Sequence, residues 1–158
     1  MRKSVYFLVG LLALSGPLSA GRFELGLSAG FYGQKGASGL CFGASAAFTD
    51  LGIFSLEAAL NSYPSGSQSE FGLFVLLGPK LKETRRLAAF FLIGPSLLSG
   101  SGSPEAPQCA VGGGLKWLAS RGVILRLDAR FYLTAFGEEE YPTIENLWRL
   151  TAGVSFRL

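Results

Sequence analysis

The chain has no histidine. That absence removes the side chain that titrates nearest neutrality, the commonest metal ligand and the most frequent general acid–base catalyst. Cysteine is scarce as well. Cys41 and Cys109 stand alone and far apart, which leaves no metal-ligand spacing and no paired-cysteine redox motif. Serine is plentiful, yet no serine has an evident activating base beside it in sequence. Charge is thin, at 16% of residues, against about 25% in ordinary soluble domains. The formal charge of +3 includes Arg2 and Lys3. Without those two, twelve cations face eleven anions, and no basic stripe remains that would suit nucleic acid. Beyond the N-terminal segment, no apolar run approaches the roughly 20 residues that a membrane-spanning helix requires. Catalytic, metal, cofactor and nucleic-acid functions therefore have no foothold, and none is expected.

What is present is apolar and glycine-rich: 49% hydrophobic residues, 22 glycines and 13 phenylalanines in 158 residues. Arg2 and Lys3 precede an apolar core from Val5 to Leu14, and Gly16 and Pro17 break it. A positive start, an apolar stretch of about ten residues and a small residue at Ala20 form the pattern of a cleavable export signal. Residues 1–20 are read as that signal peptide and residues 21–158 as one domain.

The domain alternates. Phe23, Leu25, Leu27, Ala29 and Phe31 share one face, with Glu24, Gly26, Ser28 and Gly30 on the other. The same period of two recurs from Leu40 to Phe48, Phe54 to Asn61, Glu70 to Leu81, Leu87 to Leu97, Val111 to Trp117, Val123 to Leu133 and Trp148 to Leu158. Phe74, Leu76, Phe90 and Leu92 blur two of these segments by being apolar on both faces. Period-two alternation marks strands, and eight segments of about 9–11 residues match tilted strands that cross a bilayer. Thr49–Gly52, Lys82–Arg86 and Ala119–Gly122 are short connections. Pro64–Ser69, Ser99–Pro107 and Thr134–Thr143 are longer, the last carrying an acidic tip at Glu138, Glu139 and Glu140. Short turns on one rim and long loops on the other are the pattern of an outer-membrane barrel with its turns towards the periplasm.

Charge decides which face points where. Glu24, Glu57, Glu70, Lys80, Lys116, Arg126, Asp128, Arg130, Arg149 and Arg157 all fall on the small-residue face. A lysine or arginine facing lipid at mid-bilayer costs about 2–4 kcal/mol, so this segregation predicts an apolar exterior in lipid and a lumen that holds the charges as an ion-pair network. A soluble calycin-like ligand carrier would invert the arrangement. An eight-stranded lumen, just wide enough to be filled by side chains, could not hold so many bulky apolar groups. Pro79 and Pro95 lack a ladder donor, and a bulge is expected near one of them. Phe23, Phe48, Phe54, Trp117 and Phe156 fall towards the turn-side ends, and Phe31, Phe71, Phe131 and Trp148 towards the loop-side ends, as interfacial girdles would. Parity turns Cys41 inward and Cys109 outward on strands opposite one another. A disulfide needs Cα atoms within about 7 Å, so two free thiols are expected.

The C-terminal run Thr151-Ala152-Gly153-Val154-Ser155-Phe156-Arg157-Leu158 resembles the assembly signal of outer-membrane barrels, with Thr151, Gly153, Phe156 and Leu158 at the matching positions. Leu77-Gly78-Pro79-Lys80-Leu81 and Ile93-Gly94-Pro95-Ser96-Leu97 resemble a Gly-Pro strand motif of such barrels. On these residues and the architecture, the mature chain resembles the small outer-membrane barrels typified by the OmpA transmembrane domain and OmpX. The resemblance implies an all-β, closed, eight-stranded antiparallel up-and-down transmembrane barrel behind a cleavable signal peptide. It implies residence in the outer membrane of a diderm bacterium. Its partners would be outer-membrane lipids and, during biogenesis, the barrel assembly machinery and periplasmic chaperones, with a monomer as the final state. Enzymes of similar barrel architecture rely on a histidine, which this chain lacks. A non-enzymatic structural or surface role is the expected function, a narrow pore or small-solute transporter the alternative.

Overall fold

The structure, a computed structural model, describes residues 23–34, 37–100, 103–134 and 147–158. The expected export signal at residues 1–20 and the acidic tip at Glu138–Glu140 lie outside the described residues. Eight strands follow in order: β1 (Phe23–Gln34), β2 (Ala37–Leu51), β3 (Phe54–Tyr63), β4 (Gln68–Leu77), β5 (Leu87–Gly100), β6 (Ser103–Ser120), β7 (Val123–Thr134) and β8 (Leu147–Arg157). A single 3₁₀ turn at Pro64–Gly66 joins β3 to β4. Each strand pairs antiparallel with its sequence neighbours, and β8 returns to pair with β1, closing the barrel. Closure removes every sheet edge over the paired length, the only way a sheet can satisfy its backbone groups in hydrocarbon.

The alternation in sequence becomes two faces in space. Leu27, Phe31, Leu56, Leu127 and Leu150 are exposed on the outer wall, Phe31 to 61%. Glu24, Glu57, Glu70, Asp128, Arg130 and Arg149 are buried within. A calycin-like carrier would need these faces exchanged. Of the girdle aromatics, Phe31, Phe54, Trp117, Phe131, Trp148 and Phe156 are exposed outward, whereas Phe23 is only 7% exposed.

Three expectations change. Within the segment Ser99–Pro107, the described residues 99–100 and 103–107 are strand and not loop: β5 and β6 continue past the other strands, with Leu97 opposite Pro107, Leu98 opposite Ala106 and Gly100 opposite Ser103. Strand pairing overrides the turn-forming preference of Ser99, Gly100, Ser103, Pro104 and Pro107. Neither proline marks a bulge. Pro79 lies beyond the end of β4. At Pro95 the β4–β5 pairing stops after Gly72 with Ser96 and resumes at Val75 with Ile93 in the same register. The ladder therefore skips the rows at Gly94 and Pro95 without slipping. Pro95 has no donor to offer, and Gly94 lets the chains stay close: a Cβ there would fall 2.0 Å from the Leu73 carbonyl oxygen. The register shifts that do occur sit near strand ends, between Phe48 and Leu51, Leu98 and Gly100, and Leu118 and Ser120. Finally, β4 stops at Leu77, so Lys80 is exposed in the β4–β5 connection and not on a lumen-facing strand position.

Small barrels need a strongly coiled sheet, which crowds inward-facing Cβ atoms. Gly114 shows why glycine occupies such a place. A Cβ there would lie 2.0 Å from the Leu127 carbonyl oxygen and 2.8 Å from the Asp128 Cα. Gly114→Val should therefore lower unfolding stability by about 1–3 kcal/mol, read as a drop in the urea midpoint of protein refolded into phosphatidylcholine vesicles. Gly122→Ala is the matched control, because its nearest neighbour would be 3.7 Å away, and its midpoint should not move.

Candidate functional site in the barrel lumen

Inward-facing residues of β1, β3, β6, β7 and β8, and Glu70 of β4, carry charge, while the rest of β4 and β5 carries apolar bulk. Three polar layers result. At the turn side, Glu24 accepts from Lys116 Nζ and Arg157 Nη2, each at 3.0 Å. In the middle, Glu57 accepts from Arg126 Nη1 and, at 2.8 Å, from Arg130 Nη2. Asp128 lies 2.7 Å from Arg126 Nη2 and 3.0 Å from Arg130 Nη2, and accepts from Thr151 Oγ1 at 2.6 Å. Towards the loop side, Glu70 accepts from Tyr63 Oη at 2.5 Å, Asn61 Nδ2 at 3.1 Å and Arg149 Nη1 at 3.4 Å.

Register explains who meets whom. Arg126, Asp128 and Arg130 alternate along β7, so all three project inward. Thr151 stands directly opposite Asp128 on β8, and Arg149 opposite Arg130. Asn61 stands opposite Glu70 on β3 and β4. The longer links, such as Arg126 and Arg130 to Glu57, cross the bore. Buried charges must be paired, and these carboxylates each bind more than one donor.

The other half of the lumen is apolar. Phe74, Leu76 and Leu92 are buried and Phe90 packs against them. Two guanidiniums lie over aromatic rings, Arg130 at 4.5 Å from the Phe74 centroid and Arg126 at 4.7 Å from the Phe90 centroid, an arrangement that favours the cation electrostatically. Sequence reasoning left out Phe74, Leu76, Phe90 and Leu92 as interior groups. Their parity with Glu70 and Ser96 was the signal: β4 and β5 are apolar on both faces, with Phe74, Leu76 and Leu92 buried in the bore and Leu73, Phe91 and Ile93 exposed on the outer wall. Tyr32, Tyr63, Leu98, Tyr132 and Leu147 close the loop-side end of the interior, with Tyr32 and Tyr63 edge to face at 4.8 Å. At the turn side Leu81 folds in against Ala88, Leu118 and Ile124.

The remaining expected site residues fall as follows. Lys80 and Lys82 belong to the β4–β5 connection and line the turn-side mouth. Thr151 is buried, whereas Phe156 and Leu158 project outward and are exposed. Gly153 lies on β8 opposite Ser28 of β1 and Arg126 of β7, beside the closing seam. Cys41 is buried and Cys109 half-buried, and neither is bonded to the other. Among the described residues no cluster of His, Cys, Asp or Glu has the makings of a metal site. The space left beside Arg126, Asp128 and Arg130 is a cavity of about 20 Å³.

A closed eight-stranded antiparallel barrel with an apolar outer wall and an ion-paired, filled interior has the architecture of the smallest transmembrane β-barrels. The solved structures that this chain resembles have that fold. The N-terminal barrel domain of Pseudomonas aeruginosa OprF matches with a TM-score of 0.65 at 14% identity, over 89% of this chain and 100% of that one. A de novo designed transmembrane β-barrel matches at 0.61 and 10% identity, over 89% and 98%. The outer membrane enzyme PagL matches at 0.57 and 13% identity, over 85% and 99%. No protein-family model and no curated protein sequence matches the chain. A natural domain, a designed protein and an enzyme share the architecture, so the fold by itself does not assign an activity.

Proposed function

We propose that this chain is a non-enzymatic integral barrel of the outer membrane, exported by removal of residues 1–20, with a structural or surface-interaction role. The observation that carries the reading is the filled lumen. Charged layers interlock across the bore, Phe74, Leu76 and Leu92 occupy the opposite wall, and apolar clusters stand at each end. Such an interior supports a rigid membrane-embedded cylinder and opposes passage of solute. The missing histidine supports a role without acid–base chemistry. On this reading the short turns face the periplasm, the loop side faces outward, and the chain inserts as a monomer. The barrel assembly machinery would recognise Thr151, Gly153, Phe156 and Leu158, of which the exposed Phe156 and Leu158 offer side chains to a partner.

Planar-bilayer recording on refolded protein tests the reading. No steady single-channel steps are expected at moderate voltage. Reproducible unitary steps, abolished by boiling, would overturn it and favour a narrow pore or small-solute transporter.

A further inference from the structure

The ion pairs of the described residues are not shared evenly along the barrel. In the middle and loop-side layers Arg126, Arg130 and Arg149 meet Glu57, Asp128 and Glu70, three against three. At the turn-side mouth, Glu24 divides its two oxygens between Lys116 and Arg157. Both cations are largely withdrawn from solvent, with side chains 12% and 20% exposed. A cavity of about 230 Å³ opens beside them, lined among others by Glu24, Ser55, Lys80, Lys82, Lys116 and Arg157. Buried Arg157 Nε finds no hydrogen-bond acceptor among the described residues.

We propose that this turn-side mouth is a binding site for a phosphate-class oxyanion. Half-buried cations that share one carboxylate in a concave, low-dielectric mouth concentrate positive potential there. The guanidinium of Arg157 and the ammonium of Lys116 are the donors that make short, charge-assisted bonds to such oxygens. The β4–β5 connection prepares the site. Leu81 is anchored in the apolar cluster of Ala88, Leu118 and Ile124, and its carbonyl accepts from Arg157 Nη1 at 3.5 Å. Lys82 and Arg85 exchange backbone hydrogen bonds at 3.0 and 2.9 Å, closing the turn beyond it. With Leu81 fixed inward, its neighbours Lys80 and Lys82 are both held at the cavity wall. The oxyanion can come from solution or from a phospholipid headgroup of the adjoining leaflet. The chemistry of the site is the same for both.

The full mature chain, refolded in a zwitterionic detergent and observed by NMR at the Arg157 Nε–H resonance, provides the test. Inorganic phosphate should shift that resonance saturably, and sodium chloride of equal ionic strength should not. Lys82→Gln with Lys116→Gln should weaken the phosphate response about tenfold. Glu24 keeps Arg157 as a partner in this variant, and an unchanged gel shift between boiled and unboiled samples reports that the barrel still folds. In a second arm the protein is placed in phosphatidylglycerol or phosphatidylcholine nanodiscs. A shift confined to phosphatidylglycerol, lost in the double variant, identifies the headgroup as the source. A response to free phosphate identifies the soluble one. If neither probe moves Arg157 beyond the chloride control, or if the double variant responds like the parent, the proposal fails.

Discussion

Replacing Glu57 with alanine should destabilise the folded barrel by about 3–5 kcal/mol. Glu57 is 2% exposed and accepts from both Arg126 and Arg130. Among the described residues, its removal leaves the two guanidiniums in the bore with Asp128 as their one carboxylate at hydrogen-bonding distance. An uncompensated buried charge is far more costly than the intact pair is stabilising. Urea unfolding in phosphatidylcholine vesicles, with midpoint and slope measured together, gives the number. Glu57→Gln separates charge from volume: it fills the same space, so a loss close to that of Glu57→Ala assigns the effect to the missing charge. A loss below about 1 kcal/mol in both variants, the range of a solvent-screened surface pair, would mean that water reaches this layer freely and that the lumen is not filled as described.

The second large effect lies on the opposite face of the same strand. Leu127→Arg should cost about 2–4 kcal/mol, while Phe54→Arg, near a strand end, should cost about 0–1 kcal/mol, since the penalty falls with distance from the bilayer midplane. Leu127 is 47% exposed on the outer wall and lies mid-strand, opposite Leu115 and Ala152. Phe54 opens β3 and is also exposed. The two sites are alike in exposure and differ in depth. A soluble barrel would tolerate arginine equally at both, so equal midpoints for the two variants would remove the membrane from the account.

Much of this molecule is legible in its sequence. Alternation from Val123 to Leu133 and from Trp148 to Leu158 marks strands because side chains of a pleated chain point to opposite faces. The same alternation puts Arg126 and Leu127 on opposite walls. The assignment of walls to lumen and lipid followed from the cost of charge in hydrocarbon. Other parts could not be read. Phe74, Leu76, Phe90 and Leu92 are apolar where the pattern called for small or polar residues. A local window cannot tell an irregular strand from one that packs against the bore on one side and lipid on the other. Ser99, Gly100, Ser103, Pro104 and Pro107 carry turn signals, yet pairing between β5 and β6 holds them in strands. Lys80 shares parity with Glu70, but parity has no meaning once β4 has ended at Leu77.

Period and charge, which are local and one-dimensional, determined the strands, their number and the face each turns to lipid. Closure and stagger, which relate residues far apart in the chain, decided the rest. They determined that Glu57 meets Arg126 and Arg130 across the bore, that Glu24 joins Lys116 to Arg157, and that Leu81 turns back into the mouth. An alternating strand specifies which way a side chain points but not how far its neighbours are displaced along the barrel. Only the assembled cylinder sets that displacement.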